Sequence, residues 1–195
     1  MADSSRFRFR LPHWGWFLLV TVALVSTYGG VHWYFFRVGP RYEIGGINYA
    51  LDLDRTLARG RMLNKPILIY FCGAGSANDR YMDYGVLRVA DVTERLRKFE
   101  YVAAFGNNIP KAAGPDAPRF ERQNIALQEE LLADVSHPAF AVVCPDFTLE
   151  RSGGCRMKLA SFIGMTQDAA KFSQFLDAAS DKWREHQHSR LAHGK

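Results

Sequence analysis

From Pro66 to Cys72 the chain reads Pro-Ile-Leu-Ile-Tyr-Phe-Cys, with no charged side chain. A run this short, rich in Ile and aromatics, offers no polar face to water. It suits a strand buried on both sides rather than one half exposed. A sheet built around such a strand needs helices on both faces, which puts the chain in the α/β class. Gly73-Ala74-Gly75 then turns the chain, and Ser76 to about Val86 continues as helix. Ser76 with Asp79 three residues later has the spacing of a capping box, in which each side chain satisfies a backbone amide.

Periodicity supplies the neighbouring elements. Leu51, Leu53, Leu57 and Met62 fall near helical spacing between charged residues, which predicts an amphipathic helix over 49–62, ending near Asn64. Val89 to Arg97 reads as a short helical piece and Tyr101 to Phe105 as the next strand. Three prolines and a glycine make 109–118 an irregular loop, and Arg119 to Ala133 is helical in composition. An apolar strand over Ala139–Cys144 and another around Cys155–Ile163 flank a glycine-containing hairpin loop. Thr166 is placed to cap a last amphipathic helix with Ala169, Phe172, Phe175 and Leu176 on its core side. The tail from Glu185 is polar and expected to fray.

The amino-terminal part has another character. Trp14 to Phe36 contains no Asp, Glu, Lys or Arg. That is enough for the roughly 20 residues a helix needs to cross a bilayer. Trp14 and Trp16 at one end, and Trp33 to Phe36 at the other, suit the two lipid–water interfaces. A cleaved signal peptide fits less well, because Ser26 to Gly30 is a poor cleavage site. A buried core helix fits less well still, for want of a polar face. Arg6, Arg8 and Arg10 precede the span, and Arg37 and Arg41 follow it. This bias favours an amino terminus inside and the large domain outside, on the periplasmic side of a bacterial cytoplasmic membrane. The expected organisation is a tail at 1–13, a transmembrane signal anchor at 14–36, a linker at 37–48, a domain at 49–184 and a flexible end at 185–195.

Of the formal charge of +5, five arginines against one aspartate stand before Tyr42, which leaves the rest of the chain near neutral. No basic stripe supports nucleic-acid binding. Cys72, Cys144 and Cys155 are not spaced as Cys-x-x-Cys, and no Cys/His cluster has zinc spacing, so no metal or cofactor is expected. Cys144 and Cys155 flank the hairpin loop, where they either form a disulfide or simply pack. Cys72 is either an exposed single thiol or a buried small hydrophobe. Gly73 to Ser76 fits neither Gly-x-Gly-x-x-Gly nor Gly-x-Ser-x-Gly, because Asn78 stands where a glycine is required. His186 and His188 read as solvent-exposed tail residues, and His137 as a loop residue, with a titrating group beside the Ser76–Asp79 turn as the sharper alternative.

The order helix, strand, turn-helix, strand, helix, strand, strand, helix resembles thioredoxin. Leu51 to Ala58 followed by Asn64 to Phe71, the cis-proline-type segment Ser136-His137-Pro138-Ala139, and Phe162-Ile163-Gly164 before Thr166-Gln167-Asp168 sharpen the likeness. Over roughly residues 49–180 they resemble domains of the thiol–disulfide interchange type. The pattern resembles the periplasmic C-terminal domain of the bacterial transmembrane thiol–disulfide reductase. The resemblance implies a thioredoxin-like fold, a central mixed sheet flanked by helices. It matches Ser76 to the nucleophilic cysteine and Asp79 to the resolving one. A dithiol relay needs a thiolate and a second thiol, so that cycle is excluded at this site. Asp79, near a helix amino terminus, is expected to stay ionised.

The expectation that follows is a membrane-anchored protein with a degenerate redox site. Its remaining groove, with Gly73, Gly75, His137 and Pro138, binds or scaffolds a protein partner in the cell envelope, or serves as part of a larger membrane complex. The alternative is a thiol–disulfide oxidoreductase or isomerase working through Cys72 alone.

Overall fold

The structure, a computed structural model, describes residues 16, 20–26, 41–44, 46–73, 76–106, 109–134, 136–147 and 158–193. It divides into two compact units, Met1–Val38 and Gly39–Lys195. In the first, Trp16 and residues 20–26 are helical. Most of the expected span at 14–36 lies outside the described residues, among which no helix is long and apolar enough to cross a membrane.

The second unit is built on a six-stranded mixed sheet of order β1-β2-β4-β3-β5-β6. Its strands are β1 (Arg41–Ile44), β2 (Ile47–Ala50), β3 (Ile67–Cys72), β4 (Glu100–Phe105), β5 (Ala139–Val143) and β6 (Lys158–Ile163). The helices are α1 (Leu53–Leu63), α2 (Ala77–Tyr81), α3 (Ala90–Leu96), α4 (Ala117–Leu132) and α5 (Ala169–His193). β3 runs parallel to β4 and antiparallel to β5, with Ile67 opposite Glu100 and Tyr70 opposite Phe140. All six residues of β3 and all five of β5 are buried. The apolar run that opened the sequence argument therefore lies in the middle of the sheet.

Alternation along β3 assigns the two faces. On one, Ile67 meets α1 at Gly60, where an added Cβ would lie 2.4 Å from Ile67 Cδ1 and 2.9 Å from the Lys65 carbonyl oxygen. α4 joins α1 on that side through Arg119 and Asp54, 3.1 Å apart. On the other face Tyr70 stacks on Phe140 at 4.5 Å, and Phe140 meets Phe172 of α5 edge to face at 4.8 Å. α3 ties to α5 there by Arg95–Asp177 at 2.8 Å and by the Ser173 hydroxyl donating to Asp91. Helices cover both faces, and the fold is thioredoxin-like, as the resemblance implied.

Local chemistry sets the helix ends. Asp52 caps α1 by accepting from the Arg55 amide at 3.0 Å, and Asn64 ends it in the left-handed region at φ 53°. α2 is only five residues long and continues as a π turn over Met82–Val86, closed by the Leu87 amide donating to the Met82 carbonyl. The expected irregular loop near 109–118 is a 3₁₀ turn over Lys111–Asp116 that runs into α4.

Several boundaries differ from the sequence reading. The helix expected over 49–62 starts only at Leu53, because Tyr49 and Ala50 belong to β2. The stretch read as a linker, 37–48, contains β1 and the start of β2. These strands form an antiparallel hairpin with Tyr42 opposite Tyr49, and Ala50 joins the hairpin to β4. Tyr49 is fully buried, so burial against the sheet outweighs the glycine-rich look of the segment. The end read as flexible continues as helix to His193, with Arg190 paired to Asp146. Asp168, not Thr166, caps α5: it accepts from the Ala170 and Lys171 amides, while Thr166 accepts from the Asp168 amide.

Candidate functional site

β3 and β4 end side by side, with Cys72 opposite Phe105, and β5 begins beside them with Ala139 opposite Phe71. Everything the sequence marked as a site and the structure describes, apart from Cys144, gathers at this end of the sheet. Ser76 caps α2 through its hydroxyl, which accepts from the Asp79 amide at 3.3 Å. Only half of the expected capping box forms. The Ser76 amide donates to the Gly73 carbonyl, and the Asp79 carboxyl turns elsewhere.

Asp79 is buried, with 4% of its surface exposed. One carboxyl oxygen accepts from the Gly73 amide at 2.7 Å, and the other from the Tyr70 hydroxyl at 3.3 Å. Tyr70 also donates to Asp83, at 2.9 Å. One phenol thus faces two carboxyls. Burial pushes the Asp79 carboxyl above its ordinary range, against the lowering effect of the Gly73 amide, the His137 ring and the Ser76 and Tyr70 hydroxyls. Asp79 is expected to stay ionised beside a helix terminus; burial works against that charge and the Gly73 amide works for it. A helix terminus favours the charge, but removal from water outweighs it here. Burial pushes Asp83 up to about 7; the Tyr70 hydrogen bond opposes this, the Asp79 charge adds to it and Arg88 counters it.

The segment before β5 closes the other side. The His137–Pro138 peptide is cis. Asp134 holds the segment by accepting from the Ser136 amide and hydroxyl, at 2.8 and 2.6 Å, and Gln128 donates to the Ser136 carbonyl. The His137 ring sits between the ends of β3 and β4. A Cβ at Gly73 would lie 3.6 Å from its Cδ2, and one at Gly106 3.8 Å from its Nε2. Gly73 therefore lies between Asp79 and His137, where an added Cβ would touch both at ordinary contact distance.

Beside the Asp79 face opens a cavity of about 570 Å³, walled by Tyr42 and Ile44 of β1, Cys72, Phe105, Asp79 and Asp83. Tyr42 packs edge to face on Phe105 at 5.6 Å. Cys72 is a free cysteine, 3% exposed. Burial raises its thiol well above the ordinary range, and the Asp79 and Asp83 carboxyls raise it further. A thiolate at Cys72 thus lacks both solvent and a positive neighbour.

The structure brings Cys72, Gly73, Ser76, Asp79, His137 and Pro138 together. Gly75 and Cys155 lie outside the described residues, and Cys144 is buried just past β5. His186 stacks on Trp183 in α5, 5.7 Å between centroids, away from this site. Among the described residues no three His, Cys, Asp or Glu side chains cluster to hold a metal. Sequence reasoning missed Tyr70, Asp83 and the hairpin. The signals were present: Asp79 and Asp83 at i,i+4 share a helix face, and Gly45-Gly46 between Tyr42-Glu43-Ile44 and Ile47-Asn48-Tyr49 is a hairpin pattern.

No protein-family model and no curated protein matches the sequence. Among solved structures, the chain is similar to a thioredoxin from Thermus thermophilus, at 16% identity and a TM-score of 0.46, over 66% of this chain and 83% of that one. It is similar to a DsbH oxidoreductase at the same identity and score, over 65% of this chain and 80% of that one.

Proposed function

We propose that this is a membrane-anchored, thioredoxin-like protein of the bacterial cell envelope. Its redox site is degenerate, and it binds a protein partner at the groove between Gly73–Ser76 and His137–Pro138. The observation that carries this reading is the occupation of the two motif positions. Ser76 caps a helix, and Asp79 is buried and bonded to the Gly73 amide. A serine without a general base is a poor nucleophile at neutral pH, and a carboxyl cannot resolve a mixed disulfide. The exposed residue Ser136 beside Pro138 is fixed in place, its amide by Asp134 and its carbonyl by Gln128, so the groove has a preformed wall.

The anchor at 14–36 is part of the proposal, supported by its length, its lack of charge and its aromatic ends. It sets the domain on the periplasmic side, alone or within a larger membrane complex. The single-thiol reading through Cys72 loses support, because burial and two carboxyls work against its thiolate.

A photo-crosslinking residue placed at Ser136 in the full chain, in native membranes, is expected to capture a discrete protein. One at the exposed Met62, at the far end of α1, is not. Equal labelling from both positions, or none from Ser136, would remove the groove from consideration.

A further inference from the structure

Asp79 and Asp83 stand on one side of the turn that runs from α2 into the π segment, both aimed at the single hydroxyl of Tyr70. Asp79 commits its second oxygen to the Gly73 amide, which joins α2 to the end of β3. Among the described residues neither carboxyl stands in an ion pair with a lysine or arginine; the basic side chains acting on them are His137 on Asp79 and Arg88 on Asp83. Cys72 of β3 and the buried Tyr49 of β2 lie against the same pair, and neither brings a positive charge. Glu43, Arg80 and Lys111 border the adjoining cavity.

Two carboxylates facing one phenol repel each other and compete for one donor. A single added proton removes the repulsion and supplies a second donor. We propose that Tyr70, Asp79 and Asp83 form a proton-operated clasp between α2 and the end of β3. With one proton shared by the pair the clasp is shut. Loss of that proton sets two like charges against one phenol and loosens α2 and the cavity wall, while the Gly73 amide stays bonded to the ionised Asp79. Asp83 itself lines the cavity, so the proton leaves to solvent that way. The neutral range follows from the position of Asp83, pushed up to about 7. The clasp needs no bound partner and stands apart from the groove reading.

Hydrogen exchange at the Arg80 amide, which donates to the Ser76 carbonyl at the start of α2, tests it, measured on the full chain in detergent micelles from pH 5.5 to 8.5 and corrected for intrinsic exchange. In the wild type, protection is expected to fall about ten-fold across this range, as for one unit of linked titration. Asp83→Asn is expected to flatten the profile. Tyr70→Phe is expected to move its midpoint to higher pH, because the phenol bond favours the ionised Asp83. A flat wild-type profile, a wild-type response in Asp83→Asn, or an unmoved midpoint in Tyr70→Phe overturns the clasp. Should Asp83→Asn fail to fold, the other two measurements decide.

Discussion

Asp79 has a place at once favourable and costly. Its carboxyl gains the Gly73 amide, a strong charge-assisted bond when ionised, yet it is cut off from water. Asp83, half-buried beside it, shares the Tyr70 donor. Both carboxyls have folded-state values above those of the unfolded chain, near 3.9. The folded protein therefore holds more protons than the unfolded one between about pH 4 and the folded value near 7 for Asp83. The stabilisation is fully present below the unfolded value and is lost as pH rises through the folded one. Thermal unfolding is expected at lower temperature at pH 8 than at pH 5.5. Asp83→Asn is expected to remove most of that difference, on the order of 1–2 kcal/mol after solvent screening. A melting temperature independent of pH in the wild type contradicts this.

At the scale of elements, α1 meets β3 at Gly60, the described glycine where an added Cβ would have least room. Gly60 lets the helix settle on Ile67, with the Lys65 carbonyl directly behind. Lys65 also donates its amide to the Gly60 carbonyl, which locks the turn out of α1. A methyl at position 60 meets backbone as well as a flexible side chain, so α1 must shift. Gly60→Ala is expected to destabilise the protein by about 1–3 kcal/mol, as overpacking does, read as a lower denaturant midpoint at unchanged slope. A neutral or stabilising result means that α1 slides freely on the sheet. α1, β3 and α4 were legible because their patterns are local: period 3.6 for the helices, a continuous apolar run for the strand. The cap of α5 was misread because Thr166 and Asp168 both satisfy the capping chemistry, and only the backbone path selects Asp168.

For the whole molecule, two units divide the chain near residue 38. The charge-free stretch before that point predicts membrane association, and the rest carries its own core. Removing residues 1–38 is expected to release the protein from the membrane fraction while leaving its unfolding midpoint in detergent-free buffer within about 1 °C of the same domain cleaved from the full chain. Retention of the truncated chain in washed membranes contradicts the anchor. The sheet also extends further than the domain start read at residue 49. β1 and β2 add two strands and wall the cavity with Tyr42 and Ile44.

Short-range chemistry determined what was readable along the chain. Side-chain period and glycine and proline punctuation specify the α/β order and the central strand without any knowledge of contacts. The pairing of Asp79 with Asp83 over one phenol, the two carboxyls set beside Cys72 and the recruitment of β1 and β2 to the sheet belong to the tertiary structure alone. Each depends on which groups distant in sequence share a space from which water is excluded. That exclusion sets the proton affinity of a carboxyl, the reactivity of a thiol and the fate of a glycine-rich strand pair.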